Sequence, residues 1–380
     1  MKQQVYITQL SKFLPNAPIG NEEMEEYLGL INGKKSIARS LILKSNGIKQ
    51  RYYALDRAGL PTHTNVGMAA LAIRSLCELA GLSPDAIDLI SAGTASPEQI
   101  MPSHGVMVHG ELGGRNAETV SFAGSCCTGI QAMKYGWLSV LTGEKRNAVC
   151  VASERFSPWM RNAYFEQEAE LIAQLERKPI LAFEKDFLRW MLSDGAGAVL
   201  LEPSPRADGL SLAIDWIELA SYAHQHKACM YAGAERDDKG DLCGWASFSE
   251  QDWLSRSIFS IKQDARYLGE NITELGLDFL QEIADRRALD VSSVDWFLPH
   301  LSSMFFRDKI MEALAKGGYS IPVEKWFVNL PSVGNVASAS FFLMLEELYH
   351  SGRLQKGHRI LGMIPESARF SYGYCHLTVC

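Results

Sequence analysis

No apolar run in this chain is long enough to cross a bilayer, which argues against a membrane-spanning class. The amino terminus, MKQQVYITQLSKFLP, alternates in polarity and lacks the continuous apolar stretch of a secretory leader. Eight cysteines are present, yet none forms a C-x-x-C pair and none stands at a Cys/His spacing suited to zinc. They read as free thiols of a reducing compartment, so the expectation is a cytoplasmic protein with no metal. Basic charge is also in deficit, with 37 Lys and Arg against 44 Asp and Glu and a formal net charge of -7. A nucleic-acid partner needs a basic face, so that class is set aside.

What is present is the balance of a globular protein, with 47% hydrophobic and 21% charged residues over 380 positions. Residues 66–94, VGMAALAIRSLCELAGLSPDAIDLISAGT, carry apolar positions at helical spacing, then a Pro-containing turn, then a β-rich run. Residues 273–300, TELGLDFLQEIADRRALDVSSVDWFLPH, repeat that design, with Leu82 matching Leu289, Ile87 matching Val294 and Asp88 matching Asp295. Each copy continues into a helix ending in glycines, then ETVSF or EKWFVNL as a further strand, then a small-residue turn and a long amphipathic helix. Alternating helices and strands predict an α/β fold of mainly parallel sheets, here duplicated, with halves at 1–205 and 206–380. Two segments fall outside the repeat, Phe156–Trp190 and Tyr222–Arg266, and are expected to line or cover a pocket.

Ligands in such folds bind beyond the carboxyl ends of the strands. Cys126, Cys127, His300 and the Gly334–Asn335 pair all follow predicted strands, so the duplication lets distant residues converge. Alone, each has a plain structural reading: a buried small thiol, a core imidazole, an asparagine in a turn. A cysteine at a helix start also feels the positive end of the dipole, which favours thiolate.

The set SCCTGI, DWFLPH, VGNVASAS and SDGAGAVLLEP, in this order, resembles the thiolase superfamily and within it the ketoacyl-acyl-carrier-protein synthase III type of condensing enzyme. The resemblance implies a thiolase-like duplicated fold of two halves in a layered αβαβα arrangement. It puts the nucleophile on Cys127, which precedes Thr-Gly-Ile, and leaves Cys126 structural. It sets His300 and Asn335 opposite Cys127, to bind the thioester carbonyl of a malonyl unit and stabilise the enolate left by CO2. Thiolases and elongating ketosynthases carry a second histidine where this chain has Asn335, so condensation rather than thiolysis is implied. It further implies a homodimer and no bound cofactor, with coenzyme A or phosphopantetheine arriving as part of acyl-CoA or acyl-carrier-protein thioesters.

The chain departs from that pattern at three places. HLSS puts Ser303 where the family has an asparagine. PESARFSYG replaces a glycine run, making the backbone N–H of Ala368 the candidate second oxyanion donor. The tryptophan and arginine that clamp coenzyme A are missing from SIARSLILKSNGIKQRYYA, where Ser45 falls near the arginine position. Lys309 and Lys316, seven residues apart on a predicted helix, share a face that could meet an acidic carrier protein; a solvated face is the plainer reading. The long insertions and a charged residue, Arg369 of PESARFSYG, in place of a family glycine resemble the bacterial ketosynthases that form cyclohexanediones on the way to dialkylresorcinols and stilbenes, and Glu154 in VASERFS lies at a strand end in the Cys127 half. There an arginine would hold a ketone or carboxylate and a carboxylate would take a carbon-bound proton. A supporting structural contact is the alternative for both. Two other functions compete: acyl transfer from the same cysteine to oxygen or nitrogen, and a non-catalytic partner subunit. Enolate stabilisation is the best use of Asn335, and a silent subunit needs none of the three residues.

Overall fold

The computed structural model describes residues 3–31, 33, 35–36, 39–162 and 188–380. In the first half the chain runs β1 (Tyr6–Phe13), α1 (Asn65–Ala80), β2 (Leu89–Thr94), α2 (His104–Leu112), β3 (Glu118–Ala123), α3 (Thr128–Leu141), β4 (Ala148–Glu154) and β5 (Gly195–Glu202). The second half runs β6 (Leu212–Ser221), α4 (Ala265–Arg287), β7 (Trp296–Pro299), α5 (Phe305–Lys316), α6 (Ser340–His350), β8 (Arg359–Glu366) and β9 (Ser371–Val379).

Local chemistry sets the matching boundaries. Thr64 caps α1 by accepting from the Gly67 N–H, and the helix ends at Gly81 in the left-handed region. Asp264 caps α4 through the Tyr267 N–H, and that helix ends at Ala288, also left-handed. The internal repeat extends to hydrogen bonds. Asp88, just before β2, accepts from the Arg146 N–H at 3.1 Å, and Asp295, just before β7, accepts from the Arg359 N–H at 2.8 Å. Each aspartate pins the entry of the neighbouring parallel strand.

The strands form a nine-stranded sheet in the order β7-β8-β9-β6-β1-β5-β4-β2-β3. The first-half strands lie β1-β5-β4-β2-β3, and the second-half strands lie β6-β9-β8-β7, the same order read from the junction. Two pairings, Tyr6↔Ala213 and Ile7↔Leu212, join them. The strand expected at EKWFVNL is reduced to one bridge, Phe297↔Trp326. The chain turns at Asn329 into a short helix, Leu330–Val333, whose Pro331 could not extend a ladder.

Apolar faces sort the helices into layers. Ile73 and Leu76 of α1 and Val108 of α2 pack on the first half of the sheet. Ile130 and Met133 of α3 share a core with Phe341 and Phe342 of α6, between the two halves. Phe279 and Ile283 of α4 and Ile310 of α5 pack on the second half. This is the αβαβα layering, and α3 and α6 at its centre carry the candidate site.

Of the two segments outside the repeat, residues 163–187 of the first lie outside the described residues. The second forms small hairpins, with Ala234–Arg236 paired to Leu242–Gly244 and Lys262–Gln263 paired to Met230–Tyr231.

Candidate active site

The central helices meet nearly in contact. A Cβ added to Gly129 would lie 2.3 Å from the Ser338 carbonyl oxygen and 3.1 Å from the Ala152 Cβ, so only glycine fits there. This approach brings the start of α3 against the 335–340 turn. Cys127 is the residue before the first turn of α3 and is 1% exposed. Its N–H donates to Glu366 Oε2 at 3.1 Å, and its thiol donates to the Ile364 carbonyl at 3.3 Å. Burial, then the Glu366 charge, then Cys126, hold the thiol well above its ordinary pKa. The expected thiolate is therefore not favoured in this resting arrangement, because desolvation and a facing carboxylate outweigh the helix dipole.

Cys126, for which a structural role is expected, forms part of the walls of two adjoining cavities. Burial pushes its thiol up to about 12. His300 lines the first cavity with Leu268, Ile272 and Phe306. The imidazole is 2% exposed, neither ring nitrogen has a hydrogen-bond partner, and burial lowers its pKa to about 4. It is thus a neutral ring with free polar atoms in an apolar wall, which is costly unless something binds there.

Asn335 lines the second cavity, of about 100 Å³, with Trp159, Met191 and Ala368. Its backbone is clamped by Met191 and Ser193, and its Oδ1 accepts from the Ala337 N–H at 2.9 Å, which aims the amide. The cavity shares Ala95, Trp159 and Ala232 with a surface groove of about 1150 Å³. Ser302, which sequence reasoning passed over, lines both cavities. Ser303 is fully buried behind it, with its hydroxyl on the Ser45 carbonyl at 3.4 Å. The first residue after a strand can face the crevice while its neighbour faces the core, and sequence spacing does not decide which.

The remaining candidates divide. Ala368 lines the second cavity, and its carbonyl accepts from the Cys229 and Met230 N–H groups. Glu154 lines neither cavity. It is completely buried at the end of β4 and accepts from the Ala95 N–H, the Ser96 hydroxyl and both the N–H and hydroxyl of Ser338. Burial raises its pKa to about 7. Arg369 is exposed, and its Nε donates to the Ala223 and His226 carbonyls, away from both cavities. Both carry the supporting contacts that were the alternative for them. Lys309 donates to the Gly269 carbonyl at 3.3 Å and lies over the Phe305 ring, while Lys316 stands 4.0 Å from Glu274. They line the α4–α5 surface, each partly engaged.

Glu366 was not singled out in the sequence, though a signal existed. It ends β8 as Glu154 ends β4, and an Arg-Phe pair follows each, directly at Arg155–Phe156 and two residues on at Arg369–Phe370. Each carboxylate crosses to the other half's central helix start: Glu366 to Cys127 of α3, Glu154 to Ser338 before α6.

Two facing turns at the starts of the central helices of a duplicated, layered α/β scaffold, one with a thiol pair and one with an asparagine, define a thiolase-type fold. Residues 284–364 match the family 3-oxoacyl-[acyl-carrier-protein (ACP)] synthase III C terminal. Among curated relatives, beta-ketoacyl-[acyl-carrier-protein] synthase III of Clostridium perfringens (strain SM101) is 23% identical over 349 residues, 92% of this chain and 91% of the relative. The Chlorobaculum tepidum protein of that name is 23% identical over 367 residues, 97% of each chain. Among solved structures, OleA of Xanthomonas campestris, described with bound lauric acid and lauroyl-CoA, shares the fold with a TM-score of 0.75, 19% identity and complete coverage of both chains (100% each). AbyA1, described as a tetronic acid condensing enzyme, superimposes with a TM-score of 0.77 and 19% identity over 98% of this chain and 99% of the other. The chain is thus similar over nearly its whole length to ketoacyl-acyl-carrier-protein synthase III condensing enzymes, and over residues 284–364 it matches the carboxy-terminal family of that type.

Proposed function

We propose that this protein joins an acyl group held on Cys127 to a malonyl- or 3-oxoacyl-type thioester by Claisen condensation. The observation that carries the reading is the neutral, unpartnered His300 imidazole, set with Asn335 around two cavities that share a wall at Cys126, next to Cys127, which itself lines neither. In the first half-reaction Cys127 sulfur attacks the acyl carbonyl and the donor thiolate leaves. In the second, His300 and the Asn335 amide donate to the oxygen of the incoming thioester as it becomes an enolate. The neutral ring keeps one N–H for this donation.

Cys127 is preferred to Cys126 as the acyl carrier on two grounds. It alone precedes the Thr-Gly-Ile run that packs on Ser338, and its N–H already receives an anionic oxygen, that of Glu366. The backbone N–H of Ala368 is the proposed second oxyanion donor. Acyl-CoA or acyl-carrier-protein thioesters are the proposed donors, in line with the names of the curated relatives. A homodimer is proposed through β3, an edge strand of the sheet. No helix among the described residues is long and apolar enough to cross a membrane, in keeping with a cytoplasmic enzyme.

The test is intact-protein mass spectrometry with acetyl-, octanoyl- and lauroyl-CoA and the matching carrier-protein thioesters, followed by malonyl-CoA. An adduct that malonyl-CoA discharges as a 3-oxoacyl product supports the reading. An adduct discharged only to alcohols or amines replaces it with acyl transfer.

A further inference from the structure

Glu366 is a carboxylate in an unusual position. It is 9% exposed, and burial raises its pKa. Its partners are the N–H groups of Cys127 and Ser125 and the Ser371 hydroxyl, with no cation against it among the described residues. Its internal counterpart Glu154 is tied down by four groups from two loops and serves the 335–340 turn. Glu366 instead holds the backbone of the acyl-carrying residue.

That contact conflicts with catalysis as it stands. A carbonyl attacked by the Cys127 sulfur would develop its charge within reach of that residue's own N–H, and one N–H cannot serve both that oxygen and the Glu366 carboxylate. The carboxylate must loosen its hold when substrate arrives. Protonation does this, because a hydrogen bond to a charged acceptor is roughly twice as strong as one to a neutral acceptor. A proton source is on the same residue, the Cys127 thiol, whose hydrogen rests on the Ile364 carbonyl and must turn from it to reach Glu366.

We propose, building on the assignment of Cys127 as acyl carrier, that Glu366 takes the Cys127 thiol proton as the thioester is attacked and then gives it to the departing thiolate. The Cys127 S–H bond breaks and an O–H bond forms on Glu366. The carbon–sulfur bond to Cys127 then forms and that to the donor breaks, and the departing sulfur leaves as a thiol with the Glu366 proton. One transfer thus creates the nucleophile and frees its oxyanion donor. The other titratable groups facing this pair are Cys126 on the same turn and Tyr372 on β9. Burial raises both pKa values, so both stay protonated at neutral pH.

The experiment compares full-length wild type with Glu366→Gln and Glu366→Asp in two measurements. One is iodoacetamide alkylation of Cys127 against pH, resolved by peptide mass spectrometry; the other is quench-flow acylation by octanoyl-CoA. Removing the facing charge should speed alkylation in Glu366→Gln about tenfold at pH 7, the effect of one pKa unit. Acylation should slow by about 100-fold, the usual share of general base catalysis, with Glu366→Asp recovering part of it. A purely structural role would not drive the two rates in opposite directions. Acylation within threefold of wild type in a folded Glu366→Gln, or an unchanged alkylation profile, overturns the proposal. A wild type that takes no octanoyl group while Glu366→Gln alkylates faster sinks the condensing reading and leaves the thiol–carboxylate coupling standing.

Discussion

Gly129→Ala tests the geometry on which the second half-reaction depends. The new Cβ would sit 2.3 Å from the Ser338 carbonyl oxygen, whereas carbon and oxygen normally stay about 3.3–3.6 Å apart, so something must yield by about 1 Å. Ser338 is not free to yield, because Glu154 holds both its N–H and its hydroxyl. The start of α3 and the 335–340 turn must therefore separate, carrying Cys127 away from Asn335. Overpacking of this kind costs about 1–3 kcal/mol, and alanine returns up to about 1 kcal/mol of helix propensity, so the net loss of stability should be small. A misplacement of about 1 Å can cost on the order of 100-fold in a step that needs both groups. The expectation is near-normal acylation of Cys127 and a ~100-fold slower release of CO2 from malonyl-CoA by the acylated enzyme. Urea unfolding, intact mass and labelled CO2 read the three quantities separately. A folded variant releasing CO2 within twofold of wild type would refute the reasoning.

Cys127→Ala should abolish the acyl adduct and Cys126→Ala should keep it; peptide mapping of the adduct to Cys126 would reverse the assignment. His300→Ala and Asn335→Ala should still be acylated but lose CO2 release by about 100- to 1000-fold, the scale of one oxyanion-type donor. Burial lowers both His104 and His300 to about 4. Below the ordinary histidine pKa the unfolded chain binds protons that the folded chain refuses, so their contribution to stability is lost as pH falls from about 6.5 to 4. His104→Gln should thus show a smaller drop in melting temperature between pH 7 and pH 4.5 than wild type, and an equal drop would remove His104 from this account. Arg369→Ala, which gives up contacts to two backbone carbonyls at an exposed site, should leave acylation and condensation intact. Selective loss of a cyclic product from a 3-oxoacyl thioester would instead return Arg369 to the chemistry.

Much of the fold was legible because its signals are local. Helical spacing in 66–80, the Ser83–Pro84 turn and the matching Asp88 and Asp295 report on a few neighbours each, so the helix–turn–strand repeat could be read along the chain. Residues immediately after strands were candidates because such folds bind ligands beyond the strands' carboxyl ends, and Cys127, His300 and Asn335 stood out on that rule together with their family motifs. The tertiary structure decided matters that depend on the other half. It reduced EKWFVNL to a single bridge, set Cys126 and Ser302 on cavity walls in company with His300 and Asn335, and turned Arg369 outward to the 223–226 backbone. It also set Glu366 against the Cys127 N–H, across 239 positions of sequence. The physical reason is common to all of these. Which side chain of a turn faces a crevice, and whether a helix start favours a thiolate, follow from burial and from charges brought by the second half. Those exist only once Gly129 has let α3 close on Ser338.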